Sequence, residues 1–176
     1  MRQAIHRFDN TKRRREEHHP NQRQLTPDYV LDPIRGILGG IALDPCTEPD
    51  NPTGAEKFYT PPQDGCSLSW EGRNVFCNPP YGEVRNRWVD KCIDEGKLRP
   101  IVLLIPASTE TRIVQRALAS CTSVVFVSAR LRFGVKRKNG RQEAASHGSA
   151  IFGFGVDLSP MRDHGVVLFP RPGSAR

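Results

Sequence analysis

Asn74-Val75-Phe76-Cys77-Asn78-Pro79-Pro80-Tyr81 decides how the rest of this chain is read. Its first half is an apolar run that reads as a buried strand stopping at Asn78. The stretch from Glu83 to Glu95 follows with helical spacing, placing Val84, Trp88, Cys92 and Ile93 on an inner face. A strand end that carries an amide, two prolines and an aromatic ring is a place for chemistry. A proline-rich turn after a strand is the plain alternative, and placement decides between them.

Upstream, Asp28 to Leu38 reads as a helix, with Val30, Leu31, Ile34, Ile37 and Leu38 recurring on one side, Pro33 in the first turn, and Gly39-Gly40 closing it. Ile41-Ala42-Leu43 is a short strand that ends at Asp44-Pro45. Lys57 to Thr60 and Leu68 to Trp70 read as weak strands. Downstream, Ile101 to Ile105 is the clearest buried strand, continuous and rich in β-branched residues. Thr109 to Ala119 is a helix, Val124 to Val127 a strand, and Ala150 to Gly155 and Val166 to Phe169 close the chain as strands. Strands alternating with helices predict an α/β fold: a mostly parallel sheet with helices on both faces and an antiparallel strand near the C-terminus. In such sheets ligands bind beyond the carboxyl ends of the strands, at the switch point. Asp44 and Asn78 both fall at strand carboxyl ends, which favours a functional reading of the turn.

At 176 residues the chain suits one domain with a real core. That domain is expected over 25–176, after a polar, basic tail over 1–24 that holds Lys12-Arg13-Arg14-Arg15 and is expected to be disordered. The formal net charge of +7 and a pI of about 9.5 suit a polyanionic partner, nucleic acid first, although a solvated basic surface gives the same numbers. Cys46, Cys66, Cys77, Cys92 and Cys121 are odd in number and contain no C-x-x-C pair. Reduced thiols in a cytosol are expected, rather than a disulfide framework or a metal site. No secretory segment and no membrane span are expected.

The turn suits methylation of an exocyclic amine on a flat ring. The amino nitrogen of adenine is a poor nucleophile because its lone pair is delocalised into the ring. Two acceptors aimed at its N–H groups localise that pair. The Asn78 side-chain oxygen offers one and the Pro79 carbonyl the other. Proline fixes φ, so the Pro79-Pro80 step holds that carbonyl rigidly and in advance. Tyr81 offers a face for a purine to stack on. In duplex DNA the target atom is paired, so the base must swing out.

These stretches together resemble the small phage-type DNA adenine-N6 methyltransferases, the Dam-like family. The resemblance runs from Leu25 to about Gly155 and rests on Leu25-Thr26-Pro27, Leu43-Asp44-Pro45-Cys46-Thr47, Phe58-Tyr59-Thr60, Asp64-Gly65 with Trp70, Phe76 to Gly82, Leu104-Ile105-Pro106-Ala107 and Arg130-Leu131-Arg132-Phe133. It implies a Rossmann-like class I methyltransferase fold, S-adenosylmethionine as methyl donor, double-stranded DNA as partner and a bacterial or phage-infected host cytoplasm. It places Asp44, with Pro45 and Cys46, near the methionine end of the cofactor. Thr26 and Pro27 help close that pocket, Tyr59 or Phe58 packs near the adenosine, and Asp64 accepts a hydrogen bond from the cofactor's adenine. Asn78, Pro79, Pro80 and Tyr81 hold the target base. Singly, Asp44 before Pro45 also reads as a turn cap, and Asp64-Gly65 as a tight turn. Trp70 and Trp88 are expected in the core.

The expected DNA reader is a basic insert over about 130–146, carrying Arg130, Arg132, Lys136, Arg137, Lys138 and Arg141, with Asn139-Gly140 as a hairpin tip. A two-stranded ribbon fits a major groove, where its cations meet phosphates or guanine edges; a solvated basic loop is the alternative. His147 and Ser149 are expected to border the site. Three rivals stand beside the main reading: an RNA adenine methyltransferase, a protein glutamine N-methyltransferase, and a nucleic-acid-binding module without catalysis. A cytosine-C5 enzyme with Cys46 as nucleophile is rejected, because Cys46 sits at the cofactor strand end.

Overall fold

The structure, a computed structural model, describes residues 25–71, 74–82, 84–136 and 142–171. The basic tail over 1–24 and the hairpin tip with Arg137, Lys138, Asn139, Gly140 and Arg141 lie outside the described residues. In chain order the elements are α1 (Asp28–Leu38), β1 (Leu43–Asp44), β2 (Lys57–Phe58), β3 (Val75–Cys77), α2 (Arg85–Glu95), β4 (Ile101–Pro106), α3 (Arg112–Ser120), β5 (Ser123–Val127), β6 (Arg132–Lys136), β7 (Gln142–Ala144), β8 (Ser149–Phe154), a 3-10 segment (Ser159–His164) and β9 (Gly165–Leu168).

Seven strands form one sheet in the order β2-β1-β3-β4-β8-β5-β9, and β6 pairs with β7 in a separate ribbon. The ladders β1–β2, β1–β3 and β3–β4 are parallel, whereas β4–β8, β5–β8 and β5–β9 are antiparallel. The sheet is therefore mixed rather than mostly parallel. Both closing strands run against the others, because the chain reaches them without the long helical crossover that a parallel pair needs.

Side chains alternate across the sheet into two apolar clusters. In β4, Ile101, Leu103 and Ile105 enter one cluster with Trp88, Val89 and Cys92 of α2 and Ile113, Val114 and Ala117 of α3. Val102 and Leu104 enter the other with Val30, Leu31 and Ile34 of α1 and Leu158 and Met161 of the 3-10 segment. Helices thus cover both faces, as the alternation of elements predicts. Each fully buried Leu or Ile here contributes about 1.5–3 kcal/mol relative to an exposed side chain.

Two local expectations are corrected. Pro33 lies inside α1 rather than in its first turn, because the helix starts at Asp28, capped when the Pro27 carbonyl accepts from Val30 N–H (2.9 Å) and Leu31 N–H (3.0 Å). Leu68 to Trp70 is not a strand. Trp70 is a buried core side chain whose indole N–H donates to the Gly65 carbonyl at 2.8 Å, and its ring stacks on Trp88 at 6.3 Å. At the end of α1, Gly39 takes the left-handed conformation (φ 69°) that a closing glycine supplies.

Candidate active site

The chain runs from β1 to β2 on one side and then crosses to β3 on the other, so the order reverses at β1. Leu43 is in register with Val75, which sets Asp44 and Asn78 at neighbouring carboxyl ends. Asn74 fixes this junction. Its Oδ1 accepts from Ala42 N–H at 2.8 Å and its Nδ2 donates to the Leu38 carbonyl at 3.0 Å, tying the end of α1 to the starts of β1 and β3. Beyond the strand ends, the sulfurs of Cys46 and Cys77 are 3.7 Å apart, and the backbone N–H of Asn78 faces the Cys46 sulfur.

Asp44 is buried at 2% exposure. Its Oδ1 accepts from Cys46 N–H at 3.1 Å and its Oδ2 from the Thr53 hydroxyl at 2.9 Å. Burial pushes its pKa up to about 6, and the donors from Cys46, Thr53 and Thr47 only partly oppose that. Thr53 is held in turn by α1: Arg35 donates to the carbonyls of Pro52 and Thr53 at 3.2 Å. Tyr59 closes the same end. Its N–H donates to the Asp44 carbonyl (3.0 Å), its carbonyl accepts from Thr47 N–H (3.0 Å), and its hydroxyl donates to the Ser69 carbonyl (2.9 Å). Tyr59 is buried, whereas Phe58 stands exposed.

Gly65 brings Asp64 to this end. A Cβ at Gly65 would lie 1.9 Å from the Pro45 carbonyl oxygen, so only glycine lets the 64–65 turn approach the Asp44-Pro45-Cys46 segment this closely. Asp64 itself is exposed. It accepts from Ser67 Oγ at 2.6 Å and from Arg87 Nη2 at 2.5 Å, and these donors hold its carboxyl below the usual range.

On the target side, Pro79 is buried, and Asn78, Pro80 and Tyr81 are half-buried. Asn78 Nδ2 donates to Thr26 Oγ1 at 3.1 Å, which turns the amide oxygen away from Thr26. Thr26 thus sits against the amide, whereas the sequence reading sets it at the cofactor pocket. Burial raises the Tyr81 phenol pKa, with the positive charge of Arg85 opposing. The Tyr81 ring meets the His147 ring edge-on at 5.3 Å. Sequence reasoning misses Thr53 and Arg85: Thr53 sits in a turn-rich stretch without periodicity, and Arg85 reads as one more basic surface residue.

β6 pairs antiparallel with β7, with Arg132 opposite Ala144 and Lys136 opposite Gln142, and the expected Asn139-Gly140 tip lies outside the described residues. Arg130 and Arg132 are exposed. The ribbon is joined to the domain through Gly134 N–H, which donates to the Leu25 carbonyl at 3.0 Å. All five cysteines are free, and burial raises the thiol pKa of Cys46 and Cys77, which leaves Cys46 poorly suited as a nucleophile. Among the described residues no helix is long and apolar enough to cross a membrane.

An α/β sheet with a buried carboxylate and an Asn-Pro-Pro-Tyr turn at neighbouring strand ends is consistent with a methyltransferase-like fold. The chain belongs to the DNA N-6-adenine-methyltransferase (Dam) family, whose family model matches residues 15–161. No curated protein sequence matches it.

Proposed function

We infer that this chain transfers the methyl group of S-adenosylmethionine to the N6 nitrogen of adenine in double-stranded DNA, with the target base swung out of the helix. The observation that carries this reading is the Asn78 amide, fixed by Thr26 at the strand end next to buried Asp44. The order reversal at β1, with β8 antiparallel between β4 and β5, supports a Rossmann-like class I methyltransferase fold.

The site fits the cofactor chemically. Asp44 is a buried carboxyl whose pKa burial raises, so a cationic partner would favour its charged form. A ligand bearing an ammonium and a sulfonium supplies that positive charge. Asp44, with Pro45 and Cys46, holds the methionine end, Tyr59 packs beside the adenosine, and Asp64 meets its adenine. Thr26 and Pro27 help close the cofactor pocket. When bound, S-adenosylmethionine supplies an electrophilic methyl carbon, and the reaction is an in-line displacement at that carbon.

The remaining work falls to the strand end of β3. Asn78 Oδ1 and the Pro79 carbonyl accept the two N6–H bonds, which localises the lone pair on the nitrogen. Pro79 and Pro80 keep those acceptors in place before the substrate arrives, so no reorganisation is needed in the transition state. Tyr81 stacks on the purine and offsets part of the few kcal/mol lost on unstacking. Arg130 and Arg132, followed by Lys136, Arg137, Lys138 and Arg141, carry the DNA contacts. Holding the reacting atoms together supplies a large share of the rate.

Incubation with S-adenosylmethionine and unmethylated duplex DNA, single-stranded DNA or RNA, followed by nucleoside mass spectrometry, tests the reading. N6-methyldeoxyadenosine from the duplex is expected. Product from RNA alone, or no cofactor binding by calorimetry, overturns it.

A further inference from the structure

We propose that His147 is a specificity-determining residue for the target base, donating a hydrogen bond from Nε2 to a ring nitrogen of adenine while Asn78 and Pro79 hold the amino group. This rests on the methyl-transfer reading above. His147 lies between β7 and β8, two residues before Ser149, and Ser149 pairs with Pro106 at the carboxyl end of β4. Ala107 N–H donates to the Gly148 carbonyl at 2.9 Å, which pins the segment to that end of the sheet. His147 therefore stands in the loop leading into β8, on the far side of β4 from β3, and its ring meets Tyr81 edge-on at 5.3 Å.

Donating to a ring nitrogen requires the tautomer with the proton on Nε2. His147 Nδ1 lies 3.0 Å from the Ser146 hydroxyl. Burial, together with the charges of Arg85 and Arg130, lowers the His147 pKa, so the ring is neutral at pH 7. A neutral imidazole has one donor and one acceptor nitrogen. The Ser146 contact is compatible with that tautomer: when the hydroxyl donates to Nδ1, the proton resides on Nε2. That Nε2 is buried and has no hydrogen-bond partner among the described residues. Ser149 Oγ, in a residue 1% exposed, is in the same position. A buried donor left unmade costs about 1–3 kcal/mol, so the unpartnered Nε2 of a ring packed against Tyr81 suits a ligand that brings an acceptor. Adenine brings N1 and N7, acceptors that lie on either side of the amino group.

The test measures single-turnover methylation of duplexes that carry adenine, 1-deazaadenine or 7-deazaadenine at the target, using the wild type, His147→Phe and His147→Gln. One analogue is expected to slow the wild type by about tenfold, the value of one hydrogen bond. His147→Phe should lose a similar factor on adenine and nothing further on that analogue, and His147→Gln, which keeps an N–H, should recover part of the rate. Cofactor affinity should be unchanged in both variants. Equal penalties for the analogues in all three proteins would show that His147 only packs against Tyr81 and overturn the proposal while leaving the methyltransferase reading intact. A wild type that methylates none of the duplexes overturns both.

Discussion

Thr26 and Asn78, 52 residues apart in the chain, meet side chain to side chain at 3.1 Å. The threonine hydroxyl accepts from the amide nitrogen and so determines which way the amide oxygen points. If that oxygen is one of the two acceptors for the amino group, Thr26 is a positioning residue for catalysis. Thr26→Val keeps the shape and removes the acceptor. Turnover should fall by about five- to tenfold, the worth of one hydrogen bond, with cofactor affinity unchanged by calorimetry. Loss of cofactor binding instead would assign Thr26 to the cofactor pocket alone.

Asn78→Ala should be far more severe. Removing an acceptor preorganised for the transition state costs about 100- to 1000-fold in turnover. Calorimetry should show cofactor affinity intact; full activity in this variant would refute the catalytic role.

Asp44 sets stability against binding. Its folded pKa, pushed up to about 6, lies above the ordinary carboxylate value. Below about pH 4 both folded and unfolded chains keep the proton. As the pH rises through the window to about 6, the unfolded chain releases its proton first, so this group's contribution to stability declines. The full decline is about 3 kcal/mol by pH 7. Asp44→Asn should therefore raise the unfolding midpoint of the cofactor-free protein at pH 7, with little difference near pH 4. The same variant should lose cofactor affinity, and wild-type affinity should weaken as the pH falls below about 6. A variant less stable than the wild type at pH 7 would contradict the electrostatic account.

Asp64→Ala removes a carboxylate that pairs with Arg87 on the surface. Exposed ion pairs contribute about 0–1 kcal/mol, so the thermal midpoint should move little. Cofactor affinity should still weaken severalfold. If both stay fixed, Asp64 serves only its turn.

Arg130→Ala with Arg132→Ala probes the ribbon. If both side chains meet phosphates, the slope of log binding constant against log salt should shrink by about two. An unchanged slope together with relaxed sequence preference would assign them to base edges.

Much of this architecture is legible along the chain because it is local. The apolar run finds β4, and the paired glycines end α1 where the structure ends it. Leu68 to Trp70 misleads because a stretch that resembles a strand serves instead to bury Trp70, whose indole donates to the Gly65 carbonyl and stacks on Trp88. Thr53 and Arg85 leave no trace in the sequence, since each acts through a partner that only folding brings near. Thr26 is found as a residue of interest, but its contact with Asn78 is not, because no periodicity spans the distance between them.

The short segment Leu25-Thr26-Pro27 has three mechanical attachments: Leu25 to Gly134 of the ribbon, Thr26 to Asn78, and Pro27 to the first turn of α1. A groove that gripped the ribbon would therefore pull on the same few peptide units that orient the Asn78 amide. Docking on a foreign sequence, with the ribbon seated askew, would leave that amide mis-aimed, so proofreading and chemistry would share one lever.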